Sequence, residues 1–299
     1  MIVRRTDRGV EVLAPAKLNL FLEILGRRGD GYHDLESLMV AVGLHDTLSF
    51  EDDPSGRITL TCDDPTLPTG AANLVVRAAE ALRAGAESTA GRPLGASITL
   101  AKSIPAQAGL AGGSSDAAAT LAGLDLLWNL ATPVDRLDAL AASLGSDVAF
   151  FRHAPAAVCR GRGERVEPLP LPPPIGGPLA FVVVVPPFGV ATADVYRGLV
   201  PPGEPRPIGP MLGAFASGDP GAIGAQLFNR LQPVAEALRP DLKHVRDALR
   251  AVDPPLAGTL MSGSGSAYFG LARDPDEAAF AAARLETRGP GSVRVVSCP

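Results

Sequence analysis

Residues 102–116 constrain this chain more than any other stretch: Lys-Ser-Ile-Pro-Ala-Gln-Ala-Gly-Leu-Ala-Gly-Gly-Ser-Ser-Asp. An alternating strand, 96–100, leads into them, and a long Ala/Leu-rich helix running to about residue 130 follows. Gly109, Gly112 and Gly113 let the backbone approach a ligand closely and take positive φ. Ser114, Ser115 and Asp116 stand where the helix begins, so unpaired N–H groups and the positive end of the helix dipole face the loop. An anion, above all a phosphate, is the natural occupant. Lys102 in front of the loop favours a nucleotide over a plain capped turn. The chain has three lysines, Lys17, Lys102 and Lys243, and none stands in G-x-x-x-x-G-K-[ST], so this is no Walker loop. It does not match G-x-G-x-x-G either, which argues against a dinucleotide fold.

The 299 residues suit two domains, and 46% hydrophobic with 20% charged residues describes a folded chain. Net charge is 27 − 32 = −5, which gives no support to nucleic-acid or polybasic membrane binding, so an anionic ligand must meet a local positive site. Cys62, Cys159 and Cys298 lie far apart and read as reduced thiols, pointing to a cytoplasmic protein without a secretory signal. His33, His45, His153 and His244 lack metal-ligand spacing. The apolar run 179–185, stopped by Pro186 and Pro187, reads as a buried strand, far short of a membrane span.

Along the chain, strands are expected at 10–13 and 18–25, as a pair at 38–42 and 47–50 around His45-Asp46, and at 57–62. A helix over 74–83 is capped by Asn73. Another opens at Thr132-Pro133, with Thr132 as cap, and stops at Gly145. The proline-rich segment 168–178 is a connector between an N-terminal domain, 1–167, and a C-terminal domain, 179–299. The second domain should hold a strand at 179–185, helices near 192–199, 208–216, 222–230, 241–252 and 276–286, a strand-loop-strand over 258–271, and a final strand at 293–297.

Three further places carry chemistry. Strand alternation sets Lys17 and Asn19 on one face, opposite Leu18 and Leu20, and a cation beside an amide can hold a hydroxyl and a developing phosphoryl charge. Asp147 is the one ionisable side chain between residues 139 and 151; a carboxylate among apolar neighbours needs a partner, for which Lys17 is the candidate, although a simple helix cap is an equal reading. Ser262-Gly-Ser-Gly-Ser266 joins two strands and by itself is only a hairpin.

Together and in this order, the Pro15-Ala-Lys17 strand, the 105–117 loop and the 262–266 loop resemble the GHMP kinase superfamily over nearly the whole chain. The resemblance implies an α+β (mixed α/β) two-domain kinase with a ribosomal-protein-S5-like N-terminal domain and a ferredoxin-like C-terminal domain. Gly29-Asp-Gly-Tyr32-His33 and Gly145-Ser-Asp147-Val are similar to the branch that phosphorylates the 2-hydroxyl of a cytidine-diphosphate-linked methylerythritol in the non-mevalonate isoprenoid pathway. That branch implies ATP as co-substrate with Mg²⁺, protein ligands to the metal unassigned, and a monomer or homodimer acting on a small molecule. By the same resemblance, Asp147 takes the hydroxyl proton, and Lys17 orients Asp147 and stabilises the phosphoryl group. Asn19 lies on the substrate side, Tyr32 and Tyr196 sandwich cytosine, and His33 reads its edge. Asn73 and Lys102 lie near the adenine. Pro105, Ala106, Gln107, Ala108, Gly109, Leu110, Ala111, Gly112, Gly113, Ser114 and Ser115 bind the nucleotide, and Ala108 and Ala111 stand where many relatives have glycine. Another GHMP kinase, of mevalonate or homoserine type, and a non-catalytic nucleotide-binding relative are the alternatives.

Overall fold

A computed structural model describes residues 1–86, 91–153, 155–175, 177–287 and 289–299. The chain divides into two compact units, the first made of residues 1–16, 44–104 and 111–154, the second of 17–43, 105–110 and 155–299. Gly176, inside the proline-rich segment, lies outside the described residues.

The first unit is a sheet covered by helices. Strand β1 (Ile2–Thr6) pairs antiparallel with the start of β2 (Gly9–Arg27). The end of β3 (His33–Asp52) pairs antiparallel with β5 (Ala96–Ala101), which pairs in parallel with β4 (Ile58–Cys62). In β5 the residues alternate between buried Ala96, Ile98 and Leu100 and exposed Ser97, Thr99 and Ala101, the pattern of a strand with one face on a core. Helices α1 (Leu74–Ala84), α2 (Gly112–Trp128), α3 (Val134–Leu144) and α4 (Val148–His153) complete the unit. Alanine-rich α2 is buried on almost every side. Gly123 is needed there, because a Cβ would lie 2.5 Å from the Phe50 ring.

In the second unit, β3 pairs antiparallel with β6 (Ala156–Gly161), β6 with β7 (Arg165–Leu169), and β2 in parallel with the short β9 (Phe228–Asn229). A second sheet has the order β10 (Gly258–Met261), β11 (Tyr268–Ala272), β8 (Ala180–Val185), β12 (Ser292–Ser297), every pair antiparallel. The helices in chain order are α5 (Thr192–Gly198), α6 (Gly209–Ser217), α7 (Pro220–Gln226), α8 (Gln232–Leu238), α9 (Leu242–Arg250) and α10 (Pro275–Glu286). Central β8 is buried throughout, and Leu242, Val245 and Leu249 form the apolar stripe of α9 in the same core. The order β8, helices, β10, β11, α10, β12 is a split βαβ arrangement, the expected ferredoxin-like topology.

Several expected boundaries move. The strands at 10–13 and 18–25 are one strand, since the fixed φ of Pro15 suits extended backbone. The pair at 38–42 and 47–50 is also a single strand: Gly43 does not take positive φ, and the Asp46 carboxylate accepts from the Ser103 and Ile104 amides instead of closing a turn. Thr132 is not the cap of α3; its N–H donates to Asp125 at 3.0 Å, and Pro133 takes the cap position without a side-chain bond. The helix foreseen over 222–230 stops at Gln226, and β9 follows.

Candidate active site

The loop before α2 has its backbone set by alternating left-handed residues: Gln107 at φ 54°, Gly109 at 77° and Ala111 at 57°. Ala111, as N-cap, brings no side-chain cap, and the first turn of α2 carries no acidic residue. The N-terminal amides and dipole of a 17-residue helix thus retain their affinity for an anion. Ser115 Oγ and Asp116 Oδ1 are buried without a hydrogen-bond partner among the described residues. Buried polar groups of this kind fit a polar ligand at this turn.

Within the second unit, three sequence-distant segments interlock. Ser262 Oγ donates to the Gly109 carbonyl at 3.0 Å, Ala267 N to Ala108 O at 2.9 Å, and Lys17 N to Leu110 O at 3.1 Å. Gly109 is obligatory: a Cβ there would lie 2.1 Å from Ser262 O, on a backbone that already has positive φ. A Cβ on Gly263 would lie 3.1 Å from Lys17 Nζ, so the 262–266 loop runs directly past that ammonium. Lys17 and Asn19 share one face of β2 as expected, and Lys17 Nζ donates to Asn19 Oδ1. Asn19 Nδ2 donates to Ser37 Oγ at 2.8 Å, and that hydroxyl donates to Phe21 O at 2.7 Å. Lys17 and Asn19 are 3% and 1% exposed, so the strand is buried on both faces rather than presenting an edge lysine to water.

The His33 and Tyr196 rings meet at 5.3 Å with a 37° tilt, whereas Tyr32 is exposed and has the Arg162 guanidinium 5.1 Å above its ring. Burial, helped by the Arg27 charge, lowers the pKa of His33, which favours the neutral ring. Thr192 Oγ1 and Ser264 Oγ are hydrogen-bonded at 2.8 Å, tying the start of α5, which carries Tyr196, to the third loop.

In the first unit Lys102 is engaged: its ammonium donates to Asp46 and, at 2.9 Å, to Asp116. Burial opposes its charge, but Asp116 and Asp46 outweigh burial and raise its pKa. Burial is the leading reason that the pKa of Asp116 rises to about 7; Lys102 counteracts it and Asp46 adds to it. Asn73 is a helix cap, accepting from Val75 N at 2.9 Å and donating to Pro68 O at 2.7 Å. Asp147 is half-buried immediately before α4. It belongs to the first unit and Lys17 to the second.

Known proteins share this architecture. Residues 73–155 match the GHMP kinases N terminal domain, and residues 211–291 match the GHMP kinases C terminal model. The 4-diphosphocytidyl-2-C-methyl-D-erythritol kinase of Pelotomaculum thermopropionicum is 44% identical over 277 residues, covering 92% of this chain and 93% of that protein. The chain belongs to the GHMP kinases, in the 4-diphosphocytidyl-2-C-methyl-D-erythritol kinase family. The Shouchella clausii kinase of that name is 38% identical over 87% of this chain and 84% of its own. A crystal structure of 4-(cytidine 5'-diphospho)-2C-methyl-D-erythritol kinase superposes with a TM-score of 0.78 at 42% identity, covering 96% of this chain and 98% of the other. Homoserine kinase from Cytophaga hutchinsonii, at 20% identity and a TM-score of 0.74, shares the fold. As a GHMP kinase the chain uses ATP as its co-substrate.

Sequence reasoning missed Asp46, Ser37, Thr192 and Asn229. In the sequence His45-Asp46 reads as part of a turn, and Ser37 and Thr192 are single hydroxyls in ordinary contexts. Asn229 fell inside the helix foreseen over 222–230. None belongs to a recognisable short motif, and each matters through a partner far away in sequence.

Proposed function

We propose that this chain transfers the γ-phosphoryl group of ATP to the 2-hydroxyl of 4-diphosphocytidyl-2-C-methyl-D-erythritol, a step of the non-mevalonate isoprenoid precursor pathway. The interlock of the 105–110 loop, the 262–266 loop and Lys17 is the observation that carries this reading. It gathers a phosphate-binding backbone and a buried ammonium, and phosphoryl transfer asks a protein mainly for position and charge stabilisation.

Asp147 accepts the proton of the hydroxyl as its oxygen attacks the γ-phosphorus and ADP departs. Lys17 stabilises the charge that develops on the transferring group and orients Asp147, while Asn19 fixes Lys17 and faces the acceptor. The loop from Pro105 to Ser115 holds the ATP phosphates, with the backbone N–H groups after Pro105 as donors. The ATP phosphates beside this loop would carry Mg²⁺, which when bound would supply charge neutralisation there. Asn73 and Lys102 shape the adenine end as the cap of α1 and the anchor of the strand–loop junction, since their side chains are engaged there. Tyr32, His33 and Tyr196 hold the cytosine. The roles divide between an N-terminal domain, 1–167, and a C-terminal domain, 179–299, joined by 168–178; the two family-model matches on either side of the connector support this partition. The scattered free cysteines favour a cytoplasmic protein, working as a monomer or homodimer.

The test is ATP consumption with the cytidine substrate, accompanied by mass measurement of the product. Mevalonate or homoserine phosphorylated in its place would transfer the chain to another GHMP kinase class. Absence of single-turnover transfer from labelled ATP to any acceptor would leave a nucleotide-binding relative.

A further inference from the structure

Resting on this reading of the site, we propose that Asn229 is a positioning residue for phosphoryl transfer, holding the 262–266 loop in place beside Lys17. Asn229 is buried, and each polar atom of its side chain is committed. Its Nδ2 donates to the Met261 carbonyl at 2.8 Å and the Gly263 carbonyl at 2.7 Å, while its Oδ1 accepts from Leu231 N at 2.9 Å. The two carbonyls bracket the entry to the loop. A hairpin would satisfy such groups across its own ladder, but here one side chain from another element does so.

The anchor point explains why an asparagine stands there. Asn229 lies opposite Leu22 in the parallel β9–β2 pair, and the next amide, Arg230 N, donates to Leu22 O at 2.9 Å. Five residues earlier on β2 is Lys17. The side chain therefore rivets the loop to the very strand that carries the ammonium. Gly263, whose carbonyl it holds, is the residue whose Cβ would lie 3.1 Å from Lys17 Nζ. A second support stands behind the first: Gln232 Oε1 accepts from Met261 N at 3.1 Å, and Gln232 is itself held by Glu236 at 2.9 Å. Glu236 is fixed in turn by the Tyr268 hydroxyl at 2.8 Å and by Arg246 at 2.5 Å. Met261 thus has both backbone groups satisfied by side chains from the β9–α8 segment. Displacements of about 1 Å can cost about a hundredfold in rate, so a loop held at this point sets the geometry around Lys17 without touching a substrate.

The experiment compares Asn229→Ala and Asn229→Asp with the wild-type chain and with Leu249→Ala, a core truncation in the same unit. Amide exchange of a peptide spanning 261–267 should speed up about tenfold or more in both Asn229 variants and stay unchanged in β8. Turnover should fall by about tenfold to a hundredfold, with a smaller change in the KM for the cytidine substrate, because Tyr32 and His33 are unaltered and Tyr196 is linked to the loop only through the Thr192–Ser264 bond at the start of its helix. Leu249→Ala should lower the melting temperature and leave the turnover of the folded fraction unchanged. If the Asn229 variants do not fold, Gln232→Ala serves in their place, with faster exchange at Met261 and a smaller loss of turnover expected. Unchanged exchange, or faster exchange with unaltered turnover, overturns the proposal. The exchange measurement needs no substrate, so a wild-type chain that ignores the cytidine substrate would refute the reaction assignment while the anchoring is still read separately.

Discussion

Lys17 and Asn19 are joined side chain to side chain on one face of β2, and Ser37 decides which end of the asparagine amide meets the lysine. With Asn19 Nδ2 given to Ser37 Oγ, only the carbonyl oxygen remains to accept from the ammonium. Asn19→Leu keeps the branched shape but removes both hydrogen-bonding ends of the amide. It should cost about 1–3 kcal/mol of stability, the penalty of leaving buried polar groups unmatched, and turnover should fall more than for Ser37→Ala. Urea unfolding combined with steady-state kinetics checks both parts; equal turnover in the two variants would deny Asn19 its place beside the acceptor.

Asp147→Asn should reduce turnover by about 10²–10⁴-fold, the usual range for losing a general base, while calorimetry shows ATP binding retained. Lys17→Ala should be comparably damaging. The double variant should be far less than multiplicatively worse, since residues acting as one unit are non-additive. Losses that simply multiply would separate the two roles.

The loop before α2 offers four substitutions with different outcomes. Gly109→Ala meets Ser262 O and should unfold the loop, abolishing both activity and ATP binding. Gly112→Val would press on Ile104 at 3.0 Å and Lys102 Nζ at 3.2 Å, mixing a packing defect with any loss of ATP. Gly113 has only Leu74 at 3.8 Å near its Cβ position, so Gly113→Val is the cleaner probe and should weaken ATP binding more than cytidine-substrate binding. In the opposite direction, Ala111→Gly removes an alanine at φ 57° from the left-handed region, where a Cβ costs about 1–2 kcal/mol. The melting temperature should rise by a few degrees, with ATP affinity retained; a fall would mean that Ala111 is not strained.

Asp116 should make stability depend on pH. Its carboxyl is held up to about 7, chiefly by burial, with the Lys102 ammonium opposing and Asp46 reinforcing the rise. The unfolded chain releases this proton in the ordinary carboxylate range, near pH 4. Between about pH 4 and 7 the folded chain therefore binds more protons. The stability that this group contributes is complete below that window and is lost as pH climbs through about 7. Asp116→Asn should flatten the urea midpoint across the window. A midpoint that falls from pH 4 to 7 by the same amount in the wild type and the variant would assign the titration to other groups.

Local signals in the sequence locate the glycine-rich loop before α2, the Lys17–Asn19 face and the cap at Asn73, because glycine spacing, strand alternation and capping chemistry act over a few residues, whereas the split βαβ topology follows from the family resemblance. Asp46 and Asn229 escape such signals for the opposite reason. His45-Asp46 resembles a turn, and the 222–230 stretch reads as a continuous helix, until the partners are known: Lys102 and the Ser103 amide for one, Met261 and Gly263 for the other. Those partners lie more than thirty residues away, so no local pattern announces them. The aromatic group shows a third kind of gap. Tyr32, His33 and Tyr196 are named by the sequence motifs, but which rings face each other depends on side-chain packing, and Arg162 over Tyr32 has no sequence signal at all.

That arrangement sharpens the specificity test. If Tyr32, His33 and Tyr196 hold the cytosine, the base is a handle that the enzyme requires, and free methylerythritol phosphate should be a very poor substrate. Tyr32→Ala should lose about 1–3 kcal/mol of substrate binding, the scale of one aromatic–base stack, with ATP affinity nearly unchanged. Tyr196→Ala should be at least as damaging, because it also removes the ring against which His33 rests at 5.3 Å. Burial and the Arg27 charge keep His33 below its ordinary pKa, so a neutral imidazole meets the base and the discrimination should be constant from pH 7 upward. A uridine analogue exchanges the cytosine amino donor for a carbonyl acceptor and leaves a group of the site unpaired, which should lower kcat/KM sharply. Parallel kinetics of the cytidine and uridine substrates on the wild type, His33→Ala and Tyr196→Ala decide the matter. Equal rates for the two bases on the wild type would remove base reading from all three residues, and discrimination that survives both substitutions would place it elsewhere in the site.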